Sequence, residues 1–330
     1  MIKKYISIVL ASIVIGMTFI LFIRCGSGGN SKNEGTGKEL KGRISISGAF
    51  ALYPLTVKWA EEFQKIHPDV KIDISAGGAG KGMTDALSQM VDLGMYSKEV
   101  SKEEQKKGAW WIAVTKDAVL PTINAKNPLI KDILSKGITK TQFSDIYITG
   151  KIKTWGQLYG NASSVKSKIN IFNRSDACGA AEMWGKYLGK NQESLLGIGI
   201  YGDPGIAEEV KKDPLSIGFN NVIYAYDINT RKKYVGLEIL PIDINENGKL
   251  DPEENFYSNL DSIMNAIKTG KYPSPPARDL YFVSKGKPTN PLVVEFIHWI
   301  LTDGQKFVNE AGYVDFPEEK LNKELQKISN

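Results

Sequence analysis

Charge and apolarity alternate in blocks along this chain, and the first block is not a folding unit. Lys3 and Lys4 precede an uncharged, largely apolar run from Tyr5 to Ile23, which has the form of an export signal with a basic start. Nineteen residues are also enough to span a bilayer. Cys25 follows at once, where a lipid-accepting cysteine stands, although Arg24 occupies the place of the usual small residue. A lipid anchor at Cys25 with loss of residues 1–24, or an uncleaved membrane anchor, are both compatible with this pattern. Either puts the remainder outside the cytoplasm, on the periplasmic side of the cell envelope. From Gly26 to Gly42 the chain is mostly Gly, Ser, Asn and Lys without apolar periodicity, so residues 25–42 read as a flexible stalk.

Periodic sequence begins at Arg43. Ile44-Ser-Ile-Ser47 predicts a short strand, and Leu55, Trp59, Phe63 and Ile66 predict one face of a helix with Pro54 in its first turn. Val70 to Ile74 predicts a strand, followed by a glycine-rich turn at 77–80 and a helix carrying Met83, Ala86, Leu87 and Met90. Ile169 to Phe172 predicts a strand leading into Asn173-Arg-Ser-Asp-Ala-Cys-Gly179, with Ala181, Trp184 and Leu188 on the following helix. The final long helix is expected from Pro291 to Leu301, and Val235 to Ile242 reads as a strand. Repeated strand–turn–helix units imply an α/β architecture with mainly parallel sheets, whose ligands sit at strand ends and helix starts.

Composition then narrows the function classes. The net charge is +5, but setting aside Lys3, Lys4 and Arg24 leaves 39 basic against 37 acidic residues, or +2. No basic stripe survives, so nucleic acid is a poor partner. Two cysteines, one of them Cys25, exclude a disulfide framework, and some three hundred residues suffice for an ordinary core in two domains. His67 and His298 lie far from any serine, aspartate or cysteine pattern, so a catalytic triad or catalytic metal cluster is not legible and the chain does not read as an enzyme.

Three helices start directly after glycine-bearing turns: Ser47-Gly48-Ala49-Phe50, Gly77-Gly78-Ala79-Gly80-Lys-Gly82, and Arg174-Ser-Asp176-Ala-Cys178-Gly179. Helix N-termini present unpaired N–H groups and a positive dipole end, a combination that favours an anion. A separate segment, Asp243 to Glu254, follows the EF-hand loop. Asp243, Asn245 and Asn247 occupy the first, third and fifth places, Gly248 the turn, Lys249 the carbonyl place, Asp251 the ninth and Glu254 the bidentate twelfth. One structural calcium ion is expected there, in a strand–loop–helix setting.

From Ile44 onward the chain resembles the substrate-binding proteins of the phosphate-specific ABC importer. The landmarks are Gly48-Ala-Phe-Ala-Leu-Tyr-Pro-Leu with Lys58-Trp59, the turn at 77–82, Asp92-Leu-Gly-Met-Tyr-Ser97 and Gly150-Lys-Ile-Lys-Thr-Trp155. Further along are Arg174-Ser-Asp-Ala-Cys-Gly179, Asp213-Pro-Leu-Ser-Ile-Gly218, Gly270-Lys-Tyr-Pro273, Arg278-Asp-Leu-Tyr281, and Gly304-Gln305 before Gly312-Tyr313. The resemblance implies two α/β lobes of the periplasmic-binding-protein (Venus flytrap) type. Lobe 1 is placed at 43–113 with 275–330, and lobe 2 at 114–274. A monomer would close on a small anion and hand it to a membrane permease. It also implies a ligand site of Gly48, Ala49, Phe50, Gly78, Ala79, Gly80, Ser97, Arg174, Asp176, Cys178, Gly179 and Ala180, with Arg174 as charged anchor oriented by Asp176. Departures are specific. Ala49, Phe50, Ala79, Cys178 and Ala180 stand where the family has hydroxyls, and Ser97 where many members have an aspartate. Each lost neutral hydrogen bond is worth about 0.5–1.5 kcal/mol. Two readings of the ligand therefore stay open: phosphate or a similar oxyanion held by backbone amides and Arg174, or a different, less polar ligand. Use of the fold in sensing rather than transport is a third.

Overall fold

The computed structural model describes residues 40–159 and 166–329; the apolar leader, Cys25 and nearly all of the stalk lie outside them. Among the described residues no helix is long and apolar enough to cross a membrane.

The predicted units form where the pattern put them. The strand Gly42–Gly48 is followed by the helix Tyr53–Ile66, with its proline in the first turn and Leu55, Trp59 and Phe63 buried; Ile66, expected on the same face, is the helix's last residue and is exposed. Val70–Ala76, the helix Ala79–Leu87 and Leu93–Tyr96 complete this half. Met90, expected on the second helix, lies beyond it and is exposed, because Gln89 takes a positive φ of 57° and ends the turn. In the other half Asn170–Arg174 leads to the helix Gly179–Tyr187, then Ile198–Ile200, the helix Gly202–Lys212 and Ser216–Asn221.

These strands belong to one nine-stranded sheet whose flanks and centre differ. The flanks are parallel: 42–48 lies between 70–76 and 93–96, and 170–174 lies between 198–200 and 216–221. The centre is antiparallel, which departs from the mainly parallel expectation. Ala109–Asn124 is 16 residues long. Its first half pairs with Ala277–Lys285, and its second half with 216–221 and Leu237–Ile239. A strand of that length serves two lobes, and a neighbour running back between them must be antiparallel to it. The strand predicted from Val235 to Ile242 is split, into 237–239 and Ile242–Asp243.

Two cores fall on either side of these crossing strands. One gathers Ile44, Trp59, Phe63, Met95, Phe282 and Phe296. The other gathers Phe143, Tyr147, Trp155, Trp184, Phe219 and Ile263. In the second, Trp184 meets Phe143 and Tyr147 edge-on at 5.0 and 5.7 Å, contacts worth about 0.5–1.5 kcal/mol each beyond area burial. His67 packs on Phe63 at 4.6 Å and His298 is exposed, so both serve the fold and surface. Pro291–Leu301 forms as expected but is not the last helix: Glu318–Ser329 follows, amphipathic and half charged. Its Glu324 is buried and accepts from the Ala113 amide at 2.8 Å, which ties the chain end to the crossing strand.

Candidate functional site

Helix starts gather where the two cores face each other. The first loop is held from behind: Tyr224 Oη donates to the Phe50 carbonyl at 3.1 Å, and Tyr313 Oη to that of Ala51 at 2.8 Å. The amides of Ala49, Leu52 and Tyr53 are paired with the Met95, Ala49 and Phe50 carbonyls. Gly48 has φ +132°, and a Cβ there would overlap the Met95 carbonyl and the Gly82 Cα. Only glycine allows the first loop, the second helix and the Leu93–Tyr96 strand to touch backbone to backbone. Ser47 is turned away from the loops and donates to Asp85 at 2.6 Å, which also pairs with Lys81.

The second and third loops meet directly. The Gly80 amide donates to the Ala177 carbonyl at 3.0 Å. A Cβ on Gly78 would lie 2.7 Å from Asp176 Oδ2, and one on Gly179 would overlap Ser97. Loop one reaches loop three through Phe50, whose ring covers the Arg174 guanidinium at 5.5 Å. The structure thus brings the three predicted loops into contact through Gly48, Phe50, Gly78, Gly80, Ser97, Arg174, Asp176 and Gly179. Among the described residues the amides of Phe50, Ala79, Gly179 and Ala180 find no protein acceptor, as first-turn and pre-helical donors commonly do not.

Arg174 is saturated more heavily than its sequence context suggests. Nε and Nη2 donate to Asp176 at 2.8 and 2.6 Å, a bidentate grip. Nη1 donates to Asp203. The Arg174 and Asp203 side chains are 1% and 0% exposed. Burial opposes the guanidinium's charge, but Asp203 and Asp176 outweigh it and hold its pKa above the ordinary value. Asp203 was not legible as a site residue. It stands in the first turn of a fourth glycine-led helix, Gly202–Lys212, whose start Gly202-Asp-Pro-Gly205 was the available signal. Tyr201, just before it, meets Phe50 edge-on at 5.7 Å. Gln192 braces the third loop, accepting from the Cys178 amide at 3.2 Å and donating to the Asp176 carbonyl at 2.8 Å.

Cys178 takes the place of a capping hydroxyl. Its Sγ accepts from the Ala181 amide at 3.4 Å, and burial pushes its thiol up to about 12. A thiol so buried is a small apolar cap rather than a nucleophile.

Behind Arg174 the polar chain continues into the crossing strands. Asp203 accepts from the Asn221 amide at 2.9 Å, Asn221 Oδ1 accepts from Arg278, and Arg278 lies opposite Asp117 with 3.6 Å between charges. Burial raises the Asp117 carboxyl to about 6 although Arg278 lowers it.

The loop 243–254 is wrapped tightly. Asp243 accepts from the Asn247 and Gly248 amides, and Glu254 from those of Ile244, Asn245 and Asp251, at 2.8–3.2 Å. Asp251 instead takes Lys249 at 2.8 Å and accepts from the side-chain Nδ2 groups of Asn245 and Asn247. The helix expected to follow starts only at Leu260, so a turn intervenes. Among the described residues no group of three or more His, Cys, Asp or Glu is placed to hold a metal; two of the expected ligands are asparagines.

Known proteins answer to this geometry. The model of the PBP superfamily domain matches residues 31–304. The chain belongs to that superfamily. Over 309 residues it is 26% identical to the phosphate-binding protein PstS of Staphylococcus epidermidis, covering 92% of this chain and 88% of that one. The PstS of Bacillus subtilis is 27% identical, with 91% of each chain covered. Among solved structures, a Clostridium perfringens protein described as a phosphate ABC transporter substrate-binding protein with bound phosphate superposes with a TM-score of 0.66. It shares 23% identity and covers 84% of this chain and all of its own. An ABC-type phosphate transport receptor from Vibrio cholerae gives 0.59 at 17% identity, over 83% of this chain and all of its own. These likenesses establish the two-lobed binding-protein fold for this superfamily member.

Proposed function

We propose that this protein is the extracytoplasmic solute-binding component of an ABC importer, a binding protein rather than an enzyme, and that its ligand is a small oxyanion, phosphate first among them. The observation that carries the reading is the set of unpaired amides at Phe50, Ala79, Gly179 and Ala180, on loops from both lobes that touch one another. Such donors suit an anion without any side-chain hydroxyl. Relatives named for phosphate binding support the choice of ligand. Titration calorimetry with phosphate on protein stripped of bound ions tests it. Saturable 1:1 heat is expected, and none would end the reading. The second reading, a less polar ligand, draws on Phe50, whose ring lies over the guanidinium; a mass spectrometric search of gently purified protein for an organic occupant tests that.

The same proposal covers the setting: a monomer passing its ligand to a membrane permease, carried on the stalk by lipid at Cys25 or by the uncleaved apolar leader. Intact mass of the membrane-extracted protein separates the two anchors.

Calcium at the loop 243–254 is part of the proposal as a structural ion. Asp243 and Glu254 are 1% and 5% exposed, and neither pairs with a cation among the described residues. Two nearly buried carboxylates without a positive partner fit a bound cation. Added Ca²⁺ is expected to raise the Tm by mass action, and Glu254→Gln to remove most of the gain. A melting curve unmoved by chelator would sink the site.

A further inference from the structure

We propose that Asp203 sets the charge class of the ligand. By giving Arg174 a second carboxylate it leaves the buried anchor one negative charge in excess, so the loops take a tetrahedral monoanion in preference to a dianion of the same size. This rests on the anion-capture reading above.

The count is short. Arg174 carries one positive charge against Asp176 and Asp203, both within hydrogen-bond reach of its guanidinium. One carboxylate on an arginine makes a neutral pair that can still offer its remaining N–H groups to an anion. Two carboxylates make the cluster net negative, and at 1% and 0% side-chain exposure neither Arg174 nor Asp203 is screened by water. Nearby cations do not restore the balance. Lys81 is paired with Asp85, and the Arg278–Asp117 pair further along the chain brings one charge of each sign. Lys98, next to Ser97, lies over the Tyr96 ring, and Glu182 adds an acid to the first turn of the helix that starts at Gly179.

What favours an anion here is partial charge: helix ends and free amides, each equivalent to about half a charge or less. Ala49, Phe50, Ala79 and Ala180 carry no hydroxyl dipoles to strengthen it, and the Cys178 sulfur is engaged as a cap. A field built from partial charges beside a fixed negative cluster favours a single ligand charge. A second charge gains less from the amides and is repelled more by the anchor. A unit charge several ångströms away at an effective dielectric of about 20 changes affinity by about ten- to a hundredfold.

Isosteric ions of fixed charge isolate this effect. Calorimetric titration at pH 7.5 would compare perrhenate with tungstate and perchlorate with sulfate, in wild type, Asp203→Asn and Asp176→Asn. Wild type is expected to favour the monoanion of each pair by about tenfold or more. Asp203→Asn keeps an oxygen for the Asn221 amide, removes the excess charge and is expected to abolish or invert the preference. Asp176→Asn, at the more exposed carboxylate, is expected to act in the same direction, and it carries the test if Asp203→Asn does not fold. Dianions bound as tightly as monoanions by wild type, or a ratio unmoved in both variants, would overturn the inference while leaving anion capture intact. Wild type that binds none of the four ions, nor phosphate, would overturn the capture reading itself and this inference with it.

Discussion

Arg174→Met is expected to lower the stability of the ligand-free protein by about 3–5 kcal/mol, seen as a shift of the urea midpoint at unchanged slope. The reason is what remains after the guanidinium goes. Asp203, with a fully buried side chain, and Asp176, nearly so, would face each other without a cation. Leaving a buried charge uncompensated costs far more than an intact buried pair contributes. The sign separates two roles for this arginine. An anchor held unpaired for an incoming anion is itself a buried, unsatisfied charge, and its removal would be neutral or stabilising. An arginine already gripped on both edges is part of the fold, and its removal exposes the cost of its partners. Adding Asp203→Asn to Arg174→Met is expected to recover a large part of the loss, because it discharges the more deeply buried carboxylate. A single variant within about 1 kcal/mol of wild type would show that the triad does not bear on stability.

The same triad marks the limit of what the sequence conveys. Glycine and proline punctuation located three of the helix starts, since a turn that needs glycine, or a first turn that accepts proline, is encoded within a few residues. Apolar spacing placed Trp59, Phe63 and Trp184 on their buried faces for the same reason. Asp203 reaches Arg174 across 29 positions, and nothing local distinguishes it from an acid that merely suits a helix start. Phe50 was visible as a departure from the family, but that its ring covers the guanidinium follows from how two lobes meet. The closing helix was missed because its inward face is sparse: Glu324 and Ile328 are its buried residues, and one of these is a charge satisfied by a distant amide. The antiparallel centre was missed because a central strand has the same apolar composition whichever way its neighbour runs.

Gly179→Ala is expected to keep the fold and lose the closed state. Gly179 is the first residue of its helix and is absent from the positive-φ positions, so alanine suits its backbone and raises local helix propensity. What it lacks is room. A Cβ at that position would overlap both the carbonyl oxygen and the hydroxyl of Ser97, at the end of a strand in the opposite lobe. A flexible side chain could swing aside, but a strand carbonyl cannot, so the lobes must part. Overpacking of this kind costs about 1–3 kcal/mol, or about ten- to a hundredfold in affinity for any ligand that needs closure. The unpaired amides of Gly179 and Ala180 would withdraw from those of Phe50 and Ala79, and an anion could then reach only one set. Phosphate titration is expected to show that weakening, and small-angle scattering a larger radius of gyration than wild type under the same conditions. Far-ultraviolet circular dichroism should be unchanged, which separates a propped-open molecule from an unfolded one. Wild-type affinity together with wild-type dimensions would mean that the contact between Gly179 and Ser97 is not what limits how closely the lobes approach.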